Sequence, residues 1–196
     1  TATVSATSGS SMATVVRTWG SAPRPPGSLM IIRDDGQVAG SVSGGCIEDD
    51  LIDRVRREGM TQTKCEAVTY GMSADEARRL GLPCGGTLQL VLEPLTRESG
   101  ILALLREIEA GHLVARRLEL GSGFATLHPA RATDGLAFDG RVLTTIHGPR
   151  YRMLVIGASQ LSKYLAQIAV GLDYHVTVCD PREEYTETWD IHGVTV

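Results

Sequence analysis

The stretch QVAGSVSGGCIEDDLIDRVRREG, residues 37–59, changes its period halfway along. Its first part, QVAGSV (37–42), is strand-like and pairs with SLMIIR (28–33) across Asp34-Asp35-Gly36, where Asp-Gly tolerates the positive φ of a tight turn. In the second part Ile47, Leu51, Ile52 and Val55 fall on one helical stripe, and Gly59 supplies a stop. The spacing predicts a helix over 46–59. Ser43-Gly44-Gly45-Cys46 is the joint between the two, and a hairpin running into an amphipathic helix points to an α/β protein.

Upstream, ATVVRT (13–18) is a β-branched strand, and GSAPRPPG (20–27) is a proline-rich turn that cannot be helical. Residues 1–11, small and polar, are expected to fray. Downstream, CEAVTY (65–70) returns to strand, and Ser73 with Glu76 forms a capping box opening a short helix to Leu80. GLPCGG (81–86) breaks that helix, and TLQLVLE (87–93) is a strand with Leu88, Leu90 and Leu92 on one face. ILALLREIEAG (101–111) is a helix closed by Gly111, followed by strands at HLVARRLEL (112–120), GFATL (123–127) and RVLTTI (141–146).

HGPR (147–150) marks a boundary. Beyond it, YRMLVIGAS (151–159), a helix from Leu161 to Val170 and YHVTVCD (174–180) make a βαβ unit with two buried, parallel strands. The expected architecture is α/β: a mixed-sheet domain over residues 1–150, then a partial Rossmann-like domain over 151–196. One βαβ unit does not by itself make a doubly wound sheet.

Composition narrows the function. The 196 residues carry a net charge of -4, against the basic footprint of a nucleic-acid binder. No apolar run approaches the roughly 18 residues of a membrane span, and TATVSATSGSS lacks the pattern of a secretory leader. The expected location is the cytoplasm, with reduced thiols. Cys46, Cys65, Cys84 and Cys179 show no C-x-x-C pair, so no structural zinc site is expected. Glycine, 22 of 196, is abundant, which favours tight turns and close backbone approaches to a ligand.

Three motifs carry chemistry. In the first, Ser43-Gly44-Gly45-Cys46 opens a helix whose free N–H groups and dipole favour an anion, and a thiol at that mouth gains thiolate character. The competing reading is a plain strand-to-helix turn, because Glu48, Asp49 and Asp50 already crowd the first turn with negative charge. The second motif, Cys84-Gly85-Gly86 after Pro83, repeats a thiol beside paired glycines. Convergence of the two on one pocket is a hypothesis, with two unrelated turns as its alternative. The third, Gly157-Ala158-Ser159-Gln160-Leu161-Ser162, keeps one glycine of the dinucleotide fingerprint, with Asp180 where a ribose-binding acid would stand. Ser159 and Ser162 replace the other two glycines, which weakens the case for NAD(P). The five histidines show no metal-ligand spacing and read as surface or loop residues.

In combination GSAPRPPG, SGGCIE and CGG, in that order, with the strand–GAS–helix–strand–Asp pattern at the far end, resemble the XdhC/CoxI family. These are accessory proteins of xanthine dehydrogenase and carbon monoxide dehydrogenase type molybdenum hydroxylases. The resemblance implies a chaperone more than a catalyst: it would bind the molybdenum cofactor (molybdopterin), support its sulfuration with a sulfurtransferase (cysteine desulfurase), and insert it into an apo molybdenum hydroxylase. On that reading Cys46 and Cys84 contact the metal or carry sulfur, Arg24 pairs with the phosphate, and Ser43, Gly44, Gly45, Glu48, Gly85 and Gly86 complete the cofactor site. A homodimer would suit delivery by closing a cavity between copies. The alternative is an NAD(P)-dependent oxidoreductase using Gly157, Ser159, Ser162 and Asp180. A third reading is a structural partner that binds no ligand.

Overall fold

In the computed structural model, residues 9–20, 24–45, 47–58, 64–71, 86–149, 151–172 and 174–196 are described. The centre of the first sheet is β1 (Ser10–Trp19), which pairs antiparallel with β2 (Leu29–Arg33) on one side and β5 (Thr87–Pro94) on the other. With β3 (Val38–Gly40) and β4 (Glu66–Tyr70) the order is β3-β2-β1-β5-β4. β1 therefore begins inside the segment expected to fray. Ser10, Ser11 and Thr14 are buried because neighbouring strands take up their backbone groups on both sides.

Ordinary strand alternation sends Val15 and Val16 to opposite faces, and the register slips between Val15 and Arg17. Val15 joins Ala13, Met30, Ile32, Leu88, Leu90 and Leu92 under helix α1 (Glu48–Glu58), which contributes Leu51 and Val55. Val16 and Val91 face Leu118, Leu120 and Leu143. The expected leucine face of β5 and the apolar stripe of α1 thus meet in one core. The helix begins at Glu48, two residues later than its periodicity suggests, and the expected helix at 73–80 lies outside the described residues.

A second sheet, ordered β7-β6-β9-β8, follows helix α2 (Ile101–Glu109). It comprises β6 (Val114–Glu119), β7 (Ala125–Pro129), β9 (Val142–His147) and β8 (Ala137–Phe138), the last too short to be visible as a pattern. β10 (Tyr151–Ile156), helix α3 (Gln160–Gly171) and β11 (Tyr174–Cys179) form a βαβ unit with parallel strands, as expected. The short α4 (Glu183–Thr186) and a further parallel strand, β12 (Val194–Thr195), have no counterpart in the sequence pattern.

One expectation is corrected here. β10 is not buried on both faces: Leu154 and Ile156 are exposed, because α3 covers only the side of Met153 and Val155. The chain divides into two compact units, the first Thr1–Ile101, Arg116–Leu127 and Gly135–Thr145, the second Leu102–Ala115, His128–Asp134 and Ile146–Val196.

Candidate functional site

Strand directions collect three loops at one end of the first sheet. β1, β3 and β4 run toward this end and β2 and β5 run away from it, as the pairs Trp19 with Thr87, Gly40 with Met30 and Tyr70 with Leu88 require. The loop containing Arg24 leaves from β1, the 41–47 loop leaves from β3, and the connection between Gly71 and Gly86 leaves from β4 and returns into β5. Thr87 ties the two ends of that connection, its Oγ1 donating to the Gly71 carbonyl at 3.3 Å. β3 and β5 stand three strand spacings apart, about 14 Å. α1 starts at the same end. Tyr70 Oη donates to Asp50 Oδ2 at 2.9 Å in its first turn, and Arg54 meets Glu66 one turn further on. Burial and then this hydrogen bond to Asp50 hold the Tyr70 phenol above its ordinary range.

The mouth of α1 is already occupied by the chain's own anion. Oε1 of Glu48 accepts from the amides of Val42 (3.1 Å), Ser43 (2.9 Å) and Gly44 (3.1 Å) and from Ser41 Oγ (2.8 Å). Oε2 accepts from the amides of Gly45 (2.9 Å) and Ile47 (3.3 Å) and from Ser43 Oγ. Gly44 and Gly45, at φ 83° and 126°, adopt the left-handed conformations that let successive amides turn inward. Burial pushes the Glu48 carboxyl up, but the Ser43 hydroxyl and amide and the Ser41 hydroxyl outweigh it, and the group is held well below the ordinary carboxylate range. The amides expected to face a guest phosphate therefore face Glu48.

Arg24 is exposed, and Gly86 is half-buried beside Thr87. Cys46, Cys84 and Gly85 lie outside the described residues. Of the other thiols, Cys65 packs against the Val16–Leu118 cluster, and Cys179 is exposed at the end of β11. Burial, then the charge of Glu93, push the Cys65 thiol up to about 11, with Arg116 opposing.

The dinucleotide candidates are likewise engaged within the chain. Ser159 is the N-cap of α3, its Oγ accepting from the Ser162 amide at 3.4 Å, while Ser162 Oγ donates to the Gly157 carbonyl at 2.5 Å. Asp180 Oδ2 accepts from the Ala158 amide at 2.8 Å, and Arg182 forks onto both carboxylate oxygens at 2.9 and 2.8 Å. The Arg182 side chain, then the Ala158 amide, hold the Asp180 carboxyl far below its usual range. Arg182 also stacks on Tyr185, 4.0 Å from the ring centre. Two roles escape a reading of the sequence: Ser41 as a donor to Glu48, and Arg182 as the clamp on Asp180. An acid three residues past a Gly-Gly pair, and Asp-Pro-Arg, are the available signals.

Among the described residues no cluster of three His, Cys, Asp or Glu side chains could hold a metal ion. Nor is any helix among them long and apolar enough to cross a membrane.

Comparison with known proteins adds to this geometry. Residues 4–71 match the model of the XdhC and CoxI family. The chain is 29% identical over 170 residues to the molybdenum cofactor insertion chaperone PaoD of Escherichia coli, covering 86% of this chain and 52% of that protein. It is 25% identical to a probable xanthine dehydrogenase subunit of Bacillus subtilis, covering 89% and 60%. The chain thus spans between half and two thirds of these relatives' lengths. A crystal structure described as a xanthine dehydrogenase from Bacillus halodurans shares the fold, with a TM-score of 0.70 at 24% identity over 92% of this chain and 60% of that one.

Proposed function

We propose, taking the XdhC and CoxI segment at residues 4–71 as the premise, that this chain is an accessory protein of molybdenum hydroxylases that binds the molybdenum cofactor and delivers it to the apo-enzyme. The observation that carries this reading is the gathering, at one end of a single sheet, of the loops that bear Arg24, Ser41–Ile47 and the approach to Gly86. The proposed cofactor domain is residues 1–150, with 151–196 as a Rossmann-like appendage, and the proposed compartment is the cytoplasm.

The residue types at this end fit a soft metal on an anionic pterin, with one exception. Cys46 and Cys84 offer thiol ligands and Arg24 offers an exposed guanidinium able to fork onto a phosphate. The Ser43–Gly45 amides do not fit the phosphate, because Glu48 holds them. Arg24 therefore takes the phosphate, and Gly85 and Gly86 remain proposed members of the site by their place in the sequence after Cys84. When bound, the cofactor supplies a molybdenum centre with exchangeable oxo and sulfido ligands. A sulfurtransferase of the cysteine desulfurase class is the proposed sulfur donor for that exchange.

The NAD(P)-dependent oxidoreductase reading draws less support, since Ser159, Ser162 and Asp180 are each spent on internal hydrogen bonds. Equilibrium binding of purified molybdenum cofactor, NADH and NADPH to the wild type, Cys46→Ala and Cys84→Ala separates the two. The cofactor is expected to bind at micromolar or better, and at least one substitution should weaken it about tenfold, a loss of about 1.4 kcal/mol. Saturation by NADPH with no cofactor binding would reverse the assignment.

A further inference from the structure

The residues on either side of Cys46 donate to the same oxygen: the amides of Gly45 and Ile47 both reach Oε2 of Glu48, at 2.9 and 3.3 Å. The amides of Val42, Ser43 and Gly44 converge on Oε1. Five loop amides and two serine hydroxyls thus close on one carboxylate that belongs to the first residue of the helix they precede. We infer that Glu48 is a positioning residue acting as a resident anion. It shapes the loop that carries Cys46 and, by filling the amide nest, shuts out free phosphate and the phosphate of a guest.

A protein that simply needed an anion site here would leave these amides open, as in nests that cradle phosphate. A carboxylate tethered to the helix supplies the same charge at no cost in association entropy, so the loop is ordered before any guest arrives. The ordering has a definite chemical use. Gly44 and Gly45 have positive φ, and among the described residues, its chain neighbours aside, nothing lies within 4 Å of a Cβ placed on Gly45, whereas the Glu48 carboxylate accepts from its amide. Glu48 therefore holds the Gly45 and Ile47 amides that flank Cys46 in the sequence, and loses the place as a direct cofactor ligand that its motif suggests.

This inference rests on the cofactor reading for its purpose but not for its test. Removal of the carboxylate should turn the closed nest into an open one, which a small anion can refill. In Glu48→Ala, millimolar formate or inorganic phosphate, at constant ionic strength against chloride, should raise the melting temperature by a few degrees, while wild type stays unmoved. Molybdenum cofactor affinity should fall about tenfold in Glu48→Ala and recover with formate. Should the alanine variant fail to fold, Glu48→Ser, which suits the start of a helix and leaves the nest open to a small anion, carries the same comparison. A variant that no small anion stabilises, or one that binds the cofactor as wild type does while Cys46→Ala does not, overturns the positioning role. Absence of cofactor binding by wild type sinks the functional reading alone, because the anion response of the variant judges the nest independently.

Discussion

The mouths of α1 and α3 are built from the same sequence idea, a strand running through glycine into a helix, and they close in different ways. At α1 the acid comes from the helix itself and gathers five loop amides onto one carboxylate. At α3 the work is divided: Ser159 caps the helix, Ser162 bonds back to Gly157, and Asp180 reaches across from the end of β11 to the Ala158 amide while the Arg182 amide and guanidinium hold it. A glycine-rich helix mouth is thus not an anion site until the holder of its amides is known. In the first case one residue organises the turn; in the second the bonds are shared among several residues.

The largest expected effect is at α1. Glu48→Ala takes the shared acceptor from five amides and two hydroxyls, of which only the Gly44 and Ile47 amides keep a second one, Ser41 Oγ and Ser43 Oγ, and the lost hydrogen bonds to a charged group, discounted for partial exposure, total about 2–4 kcal/mol. Urea denaturation measures it. A loss no larger than that of Ser159→Ala would erase the contrast between the two helix mouths. Acid should expose the same dependence. Because the folded Glu48 carboxyl is depressed from its ordinary 4.5, its stabilisation is complete above that pH and drains away as pH falls toward the folded value. Denaturation of wild type from pH 6 down to pH 3 should therefore lose more stability than Glu48→Gln does, and parallel acid limbs would contradict the clamp.

At α3 the effects are smaller. Asp180→Asn gives up the Arg182 fork but retains an acceptor for the Ala158 amide, so hydrogen exchange at Ala158 should quicken without global destabilisation. Unfolding of the second unit by this change would show that the α3 mouth depends on one group after all. Ser159→Ala is the least, about 0.5–1 kcal/mol for loss of a long N-cap bond, read from the thermal midpoint.

Much of this is legible in the residues. Periodicity locates α1, α2 and the βαβ unit, and the Leu88, Leu90, Leu92 face lines the core as alternation requires. What pattern cannot carry is the partner of a polar group. Arg116 sits at an inward position of β6, fully buried and paired with Glu93 of β5, with its Nε also donating to the Ser99 carbonyl at 3.1 Å. No local spacing couples residues so far apart in the chain, and a buried pair of this kind costs several kcal/mol to break from one side. Glu48 is the instructive intermediate case. Its place beside Ser43-Gly44-Gly45 is evident, and the crowding of the first turn by acids argues against a guest anion. That its carboxylate turns back onto the loop depends on backbone geometry that the glycines permit but do not announce. β12 and α4 escape the pattern because two-residue and four-residue elements have no period to read.

Whether the thiols meet is open to a direct chemical measurement. In a chain carrying Cys65→Ser and Cys179→Ser, a bifunctional thiol reagent with a reach of a few ångströms should link Cys46 to Cys84 within one molecule, and saturating molybdenum cofactor should block the link. Two separate, unlinked adducts that form at the same rate with and without the cofactor would contradict a shared site at this end of the sheet.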